Sequence, residues 1–170
     1  MTNVTLFRAL FALTVITSVG AVLVSSVHLP SVVASNFGRG GYATSYGDPA
    51  TYRMLLAGLA GIVPILVYLG TCWLPRWTGF RTLPHRAFWL SPERRALTWA
   101  WIEKFSLVTS SLVGGFVFFL HASILHANTL NPPRMTASTS GFLLGAWLVF
   151  IAVSVLLFHR RFAISPRSAR

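Results

Sequence analysis

Hydrophobic residues fall into four long runs along the chain, at 6–27, 54–74, 105–125 and 141–158, with polar connections between them. A helix needs about 20 apolar residues to cross the ~30 Å hydrocarbon core of a bilayer, and its backbone must pair its own polar groups there. The pattern therefore predicts an all-α membrane protein, a single domain over 1–170 that forms a four-helix transmembrane bundle. We expect the helices at about 6–28, 49–75, 92–127 and 139–160. The first run is longer than the apolar core of a signal peptide and lacks a clear cleavage site, so we expect it to be kept as a helix.

The composition agrees with the membrane class. Hydrophobic residues make up 54% of the chain and charged residues only 10%, and the mean hydropathy is +0.65. Soluble domains carry about 25% charged residues, so this chain lacks the residues for a soluble surface. The net charge of +11 does not indicate nucleic-acid binding, because the basic residues stand beside the apolar runs and do not line one polar face.

Basic residues are divided unevenly between the two sides of the predicted bundle. Of the 14 lysines and arginines, only Arg39, Arg53 and Arg134 fall on one side, which leaves eleven for the other. The positive-inside rule then predicts that both termini are cytoplasmic, with an outer loop at 29–48 and a basic inner loop at 76–91. We expect the bilayer, other membrane subunits or a second copy as partners, and no nucleic acid. The arginines expected to meet anionic headgroups are Arg76, Arg81, Arg86, Arg94, Arg95, Arg160 and Arg161.

Local signals predict where helices begin and where they bend. Asp48-Pro49 has the form of an N-cap followed by a first-turn proline, and Ser91-Pro92-Glu93 repeats that form before the third helix. Pro64 lies inside the second helix and is expected to kink it or loosen one turn.

Small residues at four-residue spacing predict close helix contacts within the bundle. A dimer face or a partner-subunit face is the alternative, because the spacing does not say which helix is met. The candidate packing residues are Ala57, Gly61, Gly114, Gly115, Gly141 and Gly145.

The chain offers few residues for catalysis. Its only acidic residues are Asp48, Glu93 and Glu103, all expected at or outside the membrane interfaces, and no phosphate-binding motif or convincing nucleophile–base pair is present. We therefore expect a non-enzymatic protein without a cofactor.

Three histidines are expected in the outer part of the bundle, namely His28, His121 and His126. Imidazoles that converge there would suit copper, zinc or haem. However, His121 and His126 are five residues apart, about 140° around a helix, and so point to different faces. We expect packing and hydrogen-bonding roles for them, with metal binding as the alternative.

The outer loop carries a family signature in the stretch "LPSVVASNFGRGGYATSYGDPATY". It resembles the pattern L-P-x-x-V-A-x-H-F-x-x-x-G at the N-terminus of SdpI-type immunity proteins, and the residues that match are Leu29, Pro30, Val33, Ala34, Phe37 and Gly41. The segment "LPHRAFWLSPERR" looks like the P-H-R-x-Y-W-L-x-P-E-R-R segment of stand-alone relatives. The resemblance implies a helix–loop–helix unit, a location in a bacterial inner membrane and an immunity or signalling role. Asn36 stands where the pattern commonly has histidine, which puts any metal or proton role of that position in doubt.

The residues of the loop themselves predict a shaped cap on the bundle. Gly38, Gly40 and Gly41 permit a tight reversal, and the apolar residues Val32, Val33 and Phe37 are expected to fold back onto the bundle. Tyr42, Tyr46 and Tyr52 suit the outer interface. The loop is then either a lid or a docking surface for a partner.

Three hypotheses about function follow from the sequence. The first is an accessory subunit or interaction partner of a larger membrane assembly, favoured by the small size and the missing catalytic groups. The second is an immunity or signalling protein that recognises an outside toxin or peptide. The third is a metal- or haem-binding membrane protein that uses the outer histidines.

Overall fold

The computed structural model describes residues 4–163, and four of its helical segments are long and apolar enough to cross a membrane. These are Val4–His28, Pro49–Thr78, Arg95–Asn128 and Ala137–Phe162. The prediction of four helices that could span a membrane is therefore confirmed in length and composition.

The first two spans begin and end at residues that the sequence marks. Helix α1 (Val4–Ser25) runs into a single 3₁₀ turn, Ser26–His28, and the extended backbone at Leu29 ends it before Pro30. Helix α2 (Pro49–Tyr68) begins as predicted, because Asp48 caps it: the Asp48 carboxylate accepts from the Thr51 amide at 2.8 Å. That hydrogen bond lowers the pKa of Asp48 below its ordinary value.

The second span changes its winding before it ends. A π-helical turn, Leu69–Trp73, links α2 to the short helix α3 (Leu74–Thr78), which ends at Gly79 in the left-handed conformation. Pro64 is buried inside α2, and the regular helix continues past it for one turn. The loosened turn therefore lies at Leu69–Trp73 and not at the proline.

Helix α5 (Arg95–Asn128) is the centre of the molecule and contacts both α1 and α2, which also contact each other. The contact is close where side chains are small: an added Cβ at Gly114 would lie 3.4 Å from Pro64, and one at Gly61 would lie 3.3 Å from Val19. Ala57 packs against the same core. The packing expected of these three small residues is therefore present.

Helix α6 (Ala137–Phe162) stands outside this three-helix core and packs mainly against α5. Only 6% of its most apolar 18-residue stretch is buried within the chain, against 39% for α5. Gly141 and Gly145 on α6, and Gly115 on α5, have open space around them among residues 4–163. The close packing expected of these three glycines is therefore absent among the described residues, because an added Cβ on any of them would meet nothing within 4 Å.

A short helix, α4 (Arg86–Trp89), is hydrogen-bonded both to the end of α6 and to the start of α5. The Trp89 indole donates to the Phe162 carbonyl at 3.3 Å, and the Thr98 hydroxyl donates to the Trp89 carbonyl at 2.8 Å. Helix α5 begins at Arg95, three residues later than the predicted 92. The delay arises because the Ser91 carbonyl accepts from the amides of Arg94 and Arg95, which closes a turn before the helix.

Candidate functional site

The connection between α1 and α2 is a β-hairpin, which the sequence did not indicate. Strands β1 (Val33–Phe37) and β2 (Ala43–Gly47) pair antiparallel, with irregular register around Asn36. Gly40 and Gly41 adopt φ values of 82° and 80°, where an L side chain is strained, so they make the tight reversal that was predicted.

A single asparagine fixes β1 to the end of α5. The side chain of Asn128 accepts from the Ala34 amide at 2.8 Å and donates to the Ala34 carbonyl at 2.9 Å, while it also donates to the Ile124 carbonyl. Ala34 and Val33 are fully buried. Asn128 thereby satisfies both backbone groups of Ala34 and sets the distance between the hairpin and the bundle.

A second attachment holds the reversal of the hairpin against the segment before α6. The Met135 amide donates to the Gly41 carbonyl at 2.8 Å, and the Ala43 amide donates to the Pro133 carbonyl at 3.3 Å. An added Cβ at Gly41 would lie 1.9 Å from the Met135 carbonyl oxygen, whereas at Gly40 it would find ordinary contacts with Tyr42. The hairpin is thus bound to both α5 and the α5–α6 connection.

The attached hairpin leaves one face open, which we call the hairpin face: the exposed residues Asn36, Tyr42, Thr44 and Tyr46. Tyr42 and Tyr46 are 51% and 55% exposed, and the Arg134 guanidinium lies 4.9 Å from the centre of the Tyr42 ring. The Asn36 amide donates only to Ser45 within the hairpin.

The other residues predicted to shape the loop do not belong to the hairpin face. The inward fold of Val33 and Phe37 is confirmed, but Val32 is 55% exposed, so its predicted burial is wrong. Leu29 packs against the core, and Gly38 lies against Thr44 across the hairpin.

Below the hairpin, His121 joins three helices through its two ring nitrogens. Nε2 lies 2.8 Å from the Ser25 hydroxyl on α1, and Nδ1 lies 2.9 Å from the Tyr52 hydroxyl on α2. The Ser25 hydroxyl is placed to donate to the Ala21 carbonyl at 2.6 Å, and with that bond made the tautomer that fits has Nε2 donating to Ser25 and Nδ1 accepting from Tyr52. This assignment uses every donor in the network.

The network places Tyr52 differently from the prediction. Tyr52 was expected at the outer interface, but its side chain is buried, with only 5% of the residue exposed. His121 is fully buried, and its expected role as a hydrogen-bonding residue within the bundle is confirmed.

His28 and His126 line one pocket of about 200 Å³, together with Ser25 and Asn128. His121 points away from them into its own network, as the five-residue spacing predicts. Within residues 4–163, no group of three or more histidine, cysteine, aspartate or glutamate side chains is arranged to hold a metal ion. Two imidazoles therefore remain as the candidate ligands of this pocket.

At the other end of the molecule, which we call the basic end, the helices are joined by a buried carboxylate. Glu103 on α5 is only 3% exposed, and it accepts from Arg8 Nε on α1 at 2.7 Å. Its second oxygen lies 3.8 Å from Arg76. Glu103, which was expected at or outside the membrane interface, is buried within the protein, where these arginines compensate the charge of its carboxylate.

The other basic residues at this end divide into two groups. Arg86, Arg94 and Arg161 contact the protein itself, through the Gly79 carbonyl, the Phe88 ring and the Trp89 ring respectively. Arg81, Arg95 and Arg160 are exposed. Arg86 and Arg94 are exposed as well, so the expected headgroup contact remains open to both groups except the half-buried Arg161.

Comparison with known proteins neither supports nor contradicts the resemblance to SdpI-type immunity proteins. No family model, no curated protein and no solved structure matches this chain.

Proposed function

We propose that the chain is a non-enzymatic interaction protein of a bacterial inner membrane, and that a partner outside the cytoplasm binds its hairpin face. Both termini are then cytoplasmic, in keeping with the uneven distribution of arginine along the chain. The proposal covers an accessory subunit of a larger assembly as well as an immunity or signalling protein of the kind that the SdpI resemblance implies.

The observation that carries the proposal is the double attachment of the hairpin. Asn128 fixes β1, and the Met135 amide fixes Gly41, so the backbone beneath the hairpin face is held before any partner arrives. A surface held in this way loses less conformational entropy on binding than a free loop does. Tyrosine is also among the residues that most often dominate binding energy at interfaces, and Tyr42 and Tyr46 are both exposed on this face.

The hydrogen bonds of His121 support the non-enzymatic part of the proposal. His121 and Ser25 are a histidine and a hydroxyl in contact, the pair from which a nucleophile is made. Here Nε2 carries the ring proton and the Ser25 hydroxyl is bound to the Ala21 carbonyl. The histidine therefore has no free lone pair with which to accept the serine proton.

Site-specific photo-crosslinking in native membranes tests the proposal. A photoreactive residue at position 44 or 46 is expected to give the same discrete protein adduct, and Tyr46→Ala is expected to weaken the adduct formed from position 44. Position 66, an exposed leucine in the interior of the second span, is the matched control and should give lipid adducts only. If positions 44 and 46 also give only lipid adducts, the hairpin face is a membrane anchor and the proposal fails.

Metal binding is the second candidate function, and the shared pocket of His28 and His126 is the observation that favours it. Two imidazoles provide a weak site for Cu²⁺ or Zn²⁺ whose remaining positions are filled by water. Metal analysis after dialysis against each ion is expected to give one equivalent for the wild type and none for a His28→Ala, His126→Ala variant. His159→Ala is the control and should not alter that result, because His159 does not line this pocket.

A further inference from the structure

A groove of about 370 Å³ opens between the π-helical turn, α5 and α6 near the basic end. The rings of Phe105 and Phe158 give it apolar walls, and Ser106, Ser154 and His159 contribute polar atoms. A cavity of this size, mainly apolar with a few polar groups, is typical of a ligand site.

Ser106 is the unusual residue in this groove. It is 1% exposed, and its hydroxyl has no hydrogen-bond partner among residues 4–163. Ser111 on the same helix donates to the Leu107 carbonyl one turn before it at 2.9 Å, which is how serine is usually satisfied within a helix. Ser106 makes no such bond, so its donor is available to an acceptor in the groove.

The polar groups in and beside the groove follow one another along the helices. Ser106 follows Glu103 by three residues, about 4.5 Å along the helix, and the Glu103 carboxylate is paired with arginines near the end of the span. His159 belongs to the last turn of α6, beside Arg160 and Arg161. A molecule in the groove would therefore meet cationic groups first, then the Ser106 hydroxyl, and then the phenylalanine rings.

The charge at the mouth of the groove selects an anion. The neighbouring carboxylate is that of Glu103, and Arg8 and Arg76 already engage it. The basic last turn of α6 consequently keeps a net positive charge next to the bilayer surface, where an anionic headgroup is attracted by about 1 kcal/mol per basic residue.

We propose that this groove binds one anionic phospholipid from the leaflet at the basic end. The phosphate lies beside His159 and Arg160, an ester carbonyl accepts a hydrogen bond from Ser106, and one acyl chain lies along Phe105 and Phe158. This site is separate from the hairpin face, so it holds whether or not a partner binds there.

Native mass spectrometry of the detergent-purified protein tests the proposal, with phosphatidylglycerol and phosphatidylcholine of identical acyl chains as the probes. The wild type is expected to retain one phosphatidylglycerol and to lose phosphatidylcholine. Ser106→Ala removes the hydrogen bond, worth about 0.6 kcal/mol on average between helices in membranes and up to about 1.7, and so should weaken retention about three- to fifteenfold. Gly70→Leu puts a side chain into the groove, where Gly70 has open space, and should abolish retention.

Two substitutions provide matched controls. Ser110→Ala removes a hydroxyl that is equally buried and equally unpaired, one turn further along α5, but does not line the groove. Gly58→Leu adds the same side chain to α2 in open space away from it. Both should retain phosphatidylglycerol as the wild type does.

Equal retention of both lipids by the wild type would show ordinary boundary lipid and overturn the proposal. Retention unchanged by Ser106→Ala, or weakened as much by Ser110→Ala, would overturn it as well. Helical content by circular dichroism identifies a Gly70→Leu variant that has lost its fold, and in that case the comparison of Ser106→Ala with Ser110→Ala decides.

Discussion

Asn128→Ala is the sharpest test of how the hairpin is held. The substitution removes the acceptor for the Ala34 amide and the donor to the Ala34 carbonyl, while Ala34 itself stays fully buried. A buried polar group that loses its partner costs about 1–3 kcal/mol, and two groups are affected here. We take the lower half of that range, because opening the hairpin lets water reach both groups. The expected loss in the free energy of docking the hairpin is about 2–4 kcal/mol.

Hydrogen exchange followed by mass spectrometry measures this loss in the free energy of docking the hairpin. Each 1.4 kcal/mol changes an opening equilibrium tenfold, so exchange in peptides covering 33–47 should accelerate roughly 30- to 700-fold. The change should be confined to the hairpin and to the segment around Met135, since α1, α2 and α5 retain their mutual contacts.

The matched control is Asn36→Ala. Asn36 is also an asparagine in this region, but it is exposed and bonds only to Ser45 within the hairpin. Its removal should leave exchange in the hairpin within a few-fold of the wild type. If Asn128→Ala behaves like Asn36→Ala, or if every helix exchanges faster to the same degree, Asn128 does not hold the hairpin as described.

Three further predictions concern other contacts near the hairpin. His121→Ala removes two interhelical hydrogen bonds and leaves a cavity, and should lower the free energy of unfolding by about 2–4 kcal/mol, as measured by steric trapping in bicelles. Gly41→Ala should release the hairpin from the segment before α6, seen as faster amide exchange at Met135, because its Cβ meets a carbonyl oxygen at 1.9 Å. Gly40→Ala, at almost the same φ but with free space, should cost only the ~1–2 kcal/mol of a left-handed alanine. Because the pKa of Asp48 is lowered, its cap stabilises the native state fully above the ordinary aspartate pKa, and this stabilisation is lost as the pH falls through the lowered value. A carboxyl ¹³C titration of Asp48, combined with amide exchange at Thr51, would follow the loss.

Specific results would contradict each of these predictions. A His121→Ala protein as stable as the wild type would mean that the three helices do not depend on the network. Equal effects of Gly40→Ala and Gly41→Ala would show that backbone strain alone matters and that the contact with Met135 does not. If the Thr51 amide stays protected below the pKa of Asp48, the Asp48 carboxylate is not the group that caps α2.

The four spans and the start of α2 could be predicted because each depends on a short piece of sequence. Twenty apolar residues require a helix in lipid whatever their neighbours are. Asp48 caps α2 through an amide only three residues away, so the signal is contained in the residues themselves.

The contacts that build the candidate site could not be predicted, because they join residues far apart in the chain. Asn128 and Ala34 are 94 residues apart, and Tyr52 and His121 are 69 apart, so each pair depends on which helices are neighbours. The strands, VASNF and ATSYG, do not alternate between apolar and polar residues, so the pattern that identifies a strand is missing from both.

The packing of α6 was mispredicted for a different reason. The helix is apolar on all sides, so its sequence does not mark the face that turns towards the bundle. Small-residue spacing at Gly141 and Gly145 was therefore interpreted as packing within the chain, where the structure leaves both glycines open.

The pairing of Arg8 with Glu103 has a consequence for the biogenesis of the protein. The two residues are 95 positions apart, so α1 is synthesised first, and Arg8 gains the carboxylate of Glu103 as its partner only when translation reaches α5. Arg8 is the nearer of the two partners of Glu103, so an Arg8 at the wrong depth would leave the buried carboxylate with only the 3.8 Å contact to Arg76. The ion pair thus makes the insertion depth of the first span a condition for the correct assembly of the third.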